Sequence, residues 1–110
     1  AFDDTIIGLN SKIDNHCHIG HNSKLGQGVV IAAFGGISGS VEIGNYVMMG
    51  GRVGIGDHFK IGDGAKLAAG AAVLSDVGAG ETFAGYPAKP KIKWMKETIA
   101  LSKLIDKSKK

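Results

Sequence analysis

The stretch Leu25–Gly62, LGQGVVIAAFGGISGSVEIGNYVMMGGRVGIGDHFKIG, repeats one pattern every six residues: an aliphatic side chain followed by a small residue. A helical period of 3.6 residues cannot hold that register, and simple alternation does not account for the glycines. The pattern predicts a parallel β-helix, in which each unit is a short strand plus a corner and three units close a coil of 18 residues. The register extends without a slip through twelve aliphatic positions: Ile7, Ile13, Ile19, Leu25, Ile31, Ile37, Ile43, Met49, Ile55, Ile61, Leu67 and Val73.

Twelve units predict an all-β domain of about four coils over residues 1–80. A second inward column of compact residues precedes the aliphatic one, and Cys17 lies in it, so we expect that thiol to belong to the core. Residues 81–110 are predicted to form a loop, ETFAGYPAKP, followed by a basic C-terminal α-helix that Pro90 opens. The apolar side of this helix is expected to pack on neighbours.

Charge is unevenly distributed along the chain. Residues 1–88 carry five Lys/Arg against eight Asp/Glu, a net −3, whereas residues 89–110 carry eight Lys against two acids, a net +6. Because the basicity is confined to the tail, we expect no nucleic-acid partner. One cysteine excludes an internal disulfide and is compatible with a reducing compartment. No apolar run is long enough for a membrane span, and no secretory leader is visible.

Positions that are one full coil apart lie one above another, which gives His21 a predicted environment. Asp3 lies one coil below it and would hold one ring nitrogen, while Gly39 lies one coil above it and would present a bare backbone N–H. His58 stands in the adjacent column, two coils up, where it suits gripping a substrate better than sharing a proton. The alternative is that these are solvated corner histidines.

The other two histidines do not converge on His21. His16 is expected to lie under Phe34 and Arg52, and His18 under Gly36 and then Gly54. We therefore expect His16 and His18 to be bystanders.

The segments "DDTIIG", "IDNHCHIGHN", "IAAFGGISGSVEIG", "MMGGRVGIGDHFKIG" and "GYPAK" carry a resemblance. The unbroken hexads resemble the hexapeptide-repeat acyltransferases, which are left-handed parallel β-helices and trimers with active sites between adjacent prisms. Within them, the segments look like the UDP-3-O-(3-hydroxyacyl)glucosamine N-acyltransferases of lipid A synthesis, a step in making lipopolysaccharide in the cytoplasm of Gram-negative bacteria.

The resemblance implies roles for individual residues. His21 would be the general base that takes a proton from the glucosamine 2-amine of the UDP-sugar, and the Gly39 N–H would stabilise the oxyanion. Asn22, Ser40 and His58 would bind substrate. No metal or cofactor is implied.

The family's acyl donor is a 3-hydroxyacyl chain on acyl carrier protein. That carrier is acidic, so the resemblance implies docking on the basic tail through Lys89, Lys91, Lys93 and Lys96. The alternative for the tail helix is a solvated brace of the homotrimer.

Several alternatives stay open. The 110 residues contain no counterpart of the family's uridine-binding domain, so this form by itself is expected to be weakened or to be an inactive trimeric scaffold. The related O-acyltransferases carry His-Asp where this chain has His21-Asn22, and sugar acetyltransferases that use acetyl-CoA share the fold. A zinc hydrase similar to the γ-class carbonic anhydrases would use His16 and His21, which have the five-residue separation of two of its ligands.

Overall fold

The computed structural model describes residues 4–108, and in it three parallel sheets form the walls of a prism. Sheet A contains β1, β4, β7 and β10; sheet B contains β2, β5, β8 and β11; sheet C contains β3, β6, β9 and β12. The strands have two residues each: β1 Ile6–Ile7, β2 Lys12–Ile13, β3 His18–Ile19, β4 Lys24–Leu25, β5 Val30–Ile31, β6 Gly36–Ile37, β7 Glu42–Ile43, β8 Met48–Met49, β9 Gly54–Ile55, β10 Lys60–Ile61, β11 Lys66–Leu67 and β12 Ala72–Val73.

Strand pairing confirms the predicted coil length. Ile7 pairs with Leu25 in sheet A, Ile31 with Met49 in sheet B, and Ile19 with Ile37 in sheet C, and each pair is separated by three hexads. The left-handed β-helix of about four coils with a C-terminal helix is the fold of this chain.

The core consists mainly of the two inward columns that the repeat predicts, and Phe83 and Ala88 extend it at the top. Its aliphatic members are almost fully buried from the second coil upward, with Ile37 at 1% exposure, whereas Ile7 in the first coil is 48% exposed. Small polar residues of the compact column satisfy corner carbonyls: Ser23 Oγ donates to the Ser38 oxygen at 3.0 Å, and Cys17 Sγ donates to the Ala32 oxygen at 3.2 Å. Cys17 is half-buried against the core, consistent with the structural role expected for it.

The stretch predicted as a loop contains two further strands. β13, Thr82–Ala84, extends sheet B by pairing Leu67 with Phe83, and β14, Lys89–Pro90, pairs antiparallel to β13. The step along the chain from Leu67 to Phe83 is shorter than the step from Met49 to Leu67 directly below it. Because the period changes at the top of the prism, a search for hexads misses β13.

The predicted helix begins directly after Pro90, as α1, Lys91–Ser108. It contacts β13 and β14, and Trp94 packs against Gly85, where an added Cβ would lie 2.6 Å from Trp94 Cδ1. Apolar side chains farther along, such as Ile99 and Leu104, are more than half exposed in the single chain. Packing of this helix on other subunits therefore stays a prediction. In the described part of the chain, no helix combines the length and the apolar character needed to cross a membrane.

Candidate active site

The corner between sheets C and A stacks three polar turn residues. Asn22, Ser40 and His58 have φ values of 58°, 58° and 64°, in the left-handed region that few residues other than glycine adopt. Backbone hydrogen bonds join the coils here, since the Ser40 N–H donates to the His21 oxygen at 2.8 Å and the His58 N–H donates to the Gly39 oxygen at 3.2 Å. The corner thus holds His21, Gly39 and His58 in a fixed vertical order.

Gly39 lies directly above His21, as the phase of the repeat predicts. A Cβ added to Gly39 would lie 2.5 Å from His21 Nε2 and 2.7 Å from its Cε1. The imidazole therefore occupies the space that a side chain at position 39 would take. His21 itself is exposed, whereas Gly39 is buried.

The Gly39 N–H has a partner that the sequence did not reveal. It donates to Asp57 Oδ1 at 2.9 Å, across one coil of the prism. The same contact recurs on another corner, where Asn45 N–H donates to Asp63 Oδ1 at 2.7 Å. The sequence contained a signal for this contact: an aspartate stands one full coil after the turn residue, so its short side chain lies over the amide of that residue.

A groove of about 630 Å³ opens on the outer face of sheet C, beside His21. Gly36 and Gly54 contribute to its floor, and an added Cβ would meet nothing within 4 Å at either position. His21, Gly39 and Asp57 line the groove together, so an acid–base group, a residue without a side chain and a carboxylate lie around one open space.

The two histidines expected to be bystanders differ in placement. His16 stacks on Phe34 with ring centroids 5.2 Å apart, and the Arg52 guanidinium carbon lies 4.8 Å from the Phe34 centroid. His18, by contrast, lines the groove with His21. The outward position of His18 in β3, shortly before the corner that carries His21, is the signal that would have placed it there.

The remaining predicted site residues have these positions. Asn22 and Ser40 are half-buried and His58 is exposed, all on the turn edge next to the groove. Asp3, the predicted orienter of His21, lies outside the described residues 4–108. Within that range, no three His, Cys, Asp or Glu side chains come together in a way that could hold a metal ion.

The basic tail is partly engaged with itself. Lys89 Nζ lies 2.5 Å from Glu97 Oε2, and this hydrogen bond from the lysine lowers the pKa of Glu97 below its ordinary value. Lys91, Lys93 and Lys96 lie exposed on the first turns of α1. The tail thus presents positive charge beside the top of the prism.

Comparison with known proteins identifies the family. No family model matches the chain. It is 52% identical over 103 residues to UDP-3-O-acylglucosamine N-acyltransferase of Caulobacter sp. (strain K31), a match covering 94% of this chain and 30% of that protein. It is 54% identical over 104 residues to the protein of that name in Caulobacter vibrioides (strain NA1000 / CB15N), covering 94% of this chain and 31% of that protein.

Solved structures agree with this likeness. UDP-N-acetylglucosamine O-acyltransferase from Moraxella catarrhalis RH4 matches 78% of this chain and 34% of that chain, with a TM-score of 0.77 and 31% identity. Soybean serine acetyltransferase apoenzyme matches 78% of this chain and 40% of that chain, with a TM-score of 0.75 and 30% identity. This chain belongs to the hexapeptide-repeat acyltransferases. It spans about 30% of the length of its curated relatives in this family.

Proposed function

We propose that this chain carries the acyl-transfer site of a UDP-3-O-acylglucosamine N-acyltransferase. The observation that carries the proposal is the His21 imidazole lying against the side-chain-free backbone of Gly39, beside an open groove. The relatives' name supplies the acceptor, an amine on a UDP-sugar. A groove floored by glycine gives a long acyl donor room to reach that point.

The reaction forms an amide and releases a thiol. The acceptor amine nitrogen attacks the thioester carbonyl carbon while His21 Nε2 takes a proton from that nitrogen. The carbonyl oxygen becomes an oxyanion, and its proposed hydrogen-bond donor is the N–H of Gly39, the residue that lies over His21. Collapse of the tetrahedral intermediate breaks the carbon–sulfur bond, and the imidazolium returns its proton to the thiolate. No covalent bond to the protein forms.

Substrate positioning falls to the turn edge beside this point. Asn22, Ser40 and His58 lie on that edge and offer an amide, a hydroxyl and an imidazole to the sugar and its acyl group. We assign to Asp3 the role of orienting the His21 ring, because the repeat places Asp3 one coil below His21.

The donor and the assembly are part of the same proposal. We propose a 3-hydroxyacyl chain on an acidic acyl carrier protein as the donor, docking on Lys91, Lys93 and Lys96, with Lys89 available once it leaves Glu97. A homotrimer would place a neighbouring prism over the exposed groove and exclude water from it. The proposed setting is the bacterial cytoplasm, in the lipid A pathway.

The test measures acyl transfer to the UDP-sugar amine, with acyl carrier protein and coenzyme A thioesters as rival donors. It uses the longest natural form of the protein that contains these residues. His21→Gln is expected to lower kcat by about 10²–10⁴-fold, because a general base contributes that much. The control is His16→Gln, whose ring stacks on Phe34, and it is expected to keep full activity. His58→Ala should raise KM for the UDP-sugar more than it lowers kcat.

Unchanged elution on gel filtration shows that each variant keeps its assembly. Wild-type kcat in His21→Gln would refute the assignment of the base. A wild-type protein that transfers from neither donor would refute the proposed activity and leave a folded scaffold.

A further inference from the structure

The hydrogen bond between Gly39 and Asp57 conflicts with an oxyanion at the same amide. The Gly39 N–H has one proton, and Asp57 Oδ1 accepts it at 2.9 Å. Gly39 is buried although His21 and Asp57, its neighbours below and above, are both exposed. The carboxylate therefore covers the amide, and a second acceptor reaches that proton only after the carboxylate leaves.

Charge makes the conflict stronger. A carboxylate held on the amide would lie within a few ångströms of a developing oxyanion there, and like charges at that distance repel each other. The oxyanion would form against a negative charge instead of towards a free donor. The Gly39 N–H thus serves the reaction only in a conformation in which Asp57 has turned away.

Asp57 has room to make this change. Its side chain is exposed, so water can solvate the carboxylate as soon as it releases the amide. Its backbone is held independently of that contact, because the next residue, His58, donates its N–H to the Gly39 oxygen at 3.2 Å. The exchange therefore requires rotation of one side chain and no change in the coil.

We propose that Asp57 is a displaceable cap on the Gly39 N–H, which the carbonyl oxygen of the acyl donor replaces when it binds. The proposal rests on the proposed function and adds to it a residue that controls access to the oxyanion donor. One hydrogen bond, N–H to carboxylate, breaks, and one, N–H to thioester oxygen, forms. Breaking the Gly39–Asp57 hydrogen bond therefore weakens binding of the acyl donor, and the Gly39 amide stays covered while no donor is bound.

The equivalent cap at another corner provides a matched control. Asp63 Oδ1 accepts the Asn45 N–H at 2.7 Å, and neither residue lines the groove on sheet C. Asp57→Ala and Asp63→Ala therefore remove the same kind of contact, one inside the site and one outside it. Asp57→Asn and Asp63→Asn keep an oxygen acceptor and remove its charge.

The experiment compares KM and kcat for the acyl carrier protein thioester in these four variants, together with thermal unfolding. Asp57→Ala is expected to lower KM for the donor about tenfold or more, since a hydrogen bond to a charged group no longer has to be broken. Asp57→Asn should lie between Asp57→Ala and the wild type, because a neutral acceptor binds the amide more weakly. Both Asp63 variants should change the melting temperature and leave KM unaltered.

Amide hydrogen exchange gives a readout that does not depend on turnover. The Gly39 amide should exchange faster in Asp57→Ala than in the wild type, and at the wild-type rate in Asp63→Ala. If the wild type transfers acyl groups and neither Asp57→Ala nor Asp63→Ala alters KM for the donor, the cap is overturned. The Gly39–Asp57 hydrogen bond would then be a structural contact only. A fall in kcat in Asp57→Ala would also overturn it, since Asp57 would then act directly in the reaction. Absence of transfer by the wild type would instead overturn the proposed function on which the cap rests.

Discussion

Replacing Gly39 by alanine tests the site with a single methyl group. The added Cβ would lie 2.5 Å from His21 Nε2, 2.7 Å from Cε1 and 3.0 Å from Cδ2. Ordinary contacts between such atoms are about 3.5 Å or longer, so the imidazole has to move by roughly 1 Å or more. The φ of Gly39 lies outside the left-handed region, and the backbone itself therefore accepts alanine.

The ring is the part that yields, because it is the far end of an exposed side chain while the methyl is fixed to the wall of the prism. We expect Gly39→Ala to lose about 10²-fold or more in kcat, the effect of misplacing a catalytic group by roughly 1 Å. The free energy of unfolding should stay within about 1 kcal/mol of the wild type, since alanine restricts the unfolded chain by about as much as the displaced ring costs.

Gly51→Ala is the matched control for this substitution. Gly51 is also the first residue of a turn, on another corner, and an added Cβ there would lie 3.8 Å from the Ala33 oxygen, an ordinary contact. It should keep full activity and gain about 0.4–1 kcal/mol in unfolding free energy. The measurements are steady-state acyl transfer and chemical unfolding of both variants.

A double variant separates ring displacement from other causes. If alanine at position 39 acts by moving the base, then Gly39→Ala combined with His21→Ala should be no slower than His21→Ala alone. Wild-type kcat in Gly39→Ala, or additive losses in the double variant, would refute the geometry from which this reasoning starts.

Two further predictions concern the core and the tail. Ile37 is 1% exposed, so Ile37→Ala should lower the unfolding free energy by about 2–5 kcal/mol. Ile92 is a helix residue that is 64% exposed, so Ile92→Ala should change the unfolding free energy of the single chain by about 0.5 kcal/mol or less. Equal losses in chemical denaturation would contradict the assigned core. Lys89→Met should raise the pKa of Glu97 towards its ordinary value of 4.5, because the lysine hydrogen bond is the main cause that lowers it. Since the pKa of Glu97 is lowered in the folded chain, the Lys89–Glu97 pair contributes stability above pH 4.5, and this stability is lost as the pH falls through the pKa of the folded chain. An NMR titration of Glu97 that is identical in both proteins would disprove the coupling.

The fold was predictable because the repeat is local and unbroken. Each hexad contains one aliphatic side chain that points inward. These side chains stack on one another only if a coil contains three hexads, and the pairing of Ile19 with Ile37 confirms that length. The top of the prism was less predictable, since the step from Leu67 to Phe83 is shorter than the coils below it. That change depends on how the chain closes over the core, and the hexads below it contain no sign of it.

The candidate site was predictable only as far as the order in which its residues stack from coil to coil. Sequence alone stacks Gly39 on His21 and predicts that Gly39 presents its N–H, whereas the structure shows that the imidazole occupies the space of a side chain at position 39. The prediction that His18 is a bystander missed its place in the groove, although its outward position shortly before the His21 corner was a signal for it.

What the sequence by itself determined is the vertical order of residues, because an unbroken hexad repeat fixes which positions coincide after each full coil. The tertiary structure decided the hydrogen bonds between those positions, above all the one from Gly39 to Asp57. Periodicity aligns backbones, whereas the direction of a side chain and the proton it accepts depend on rotamer and on the space left by the coil below. For that reason the histidine and the glycine were visible in the sequence, and the carboxylate that covers the glycine amide was visible in the fold.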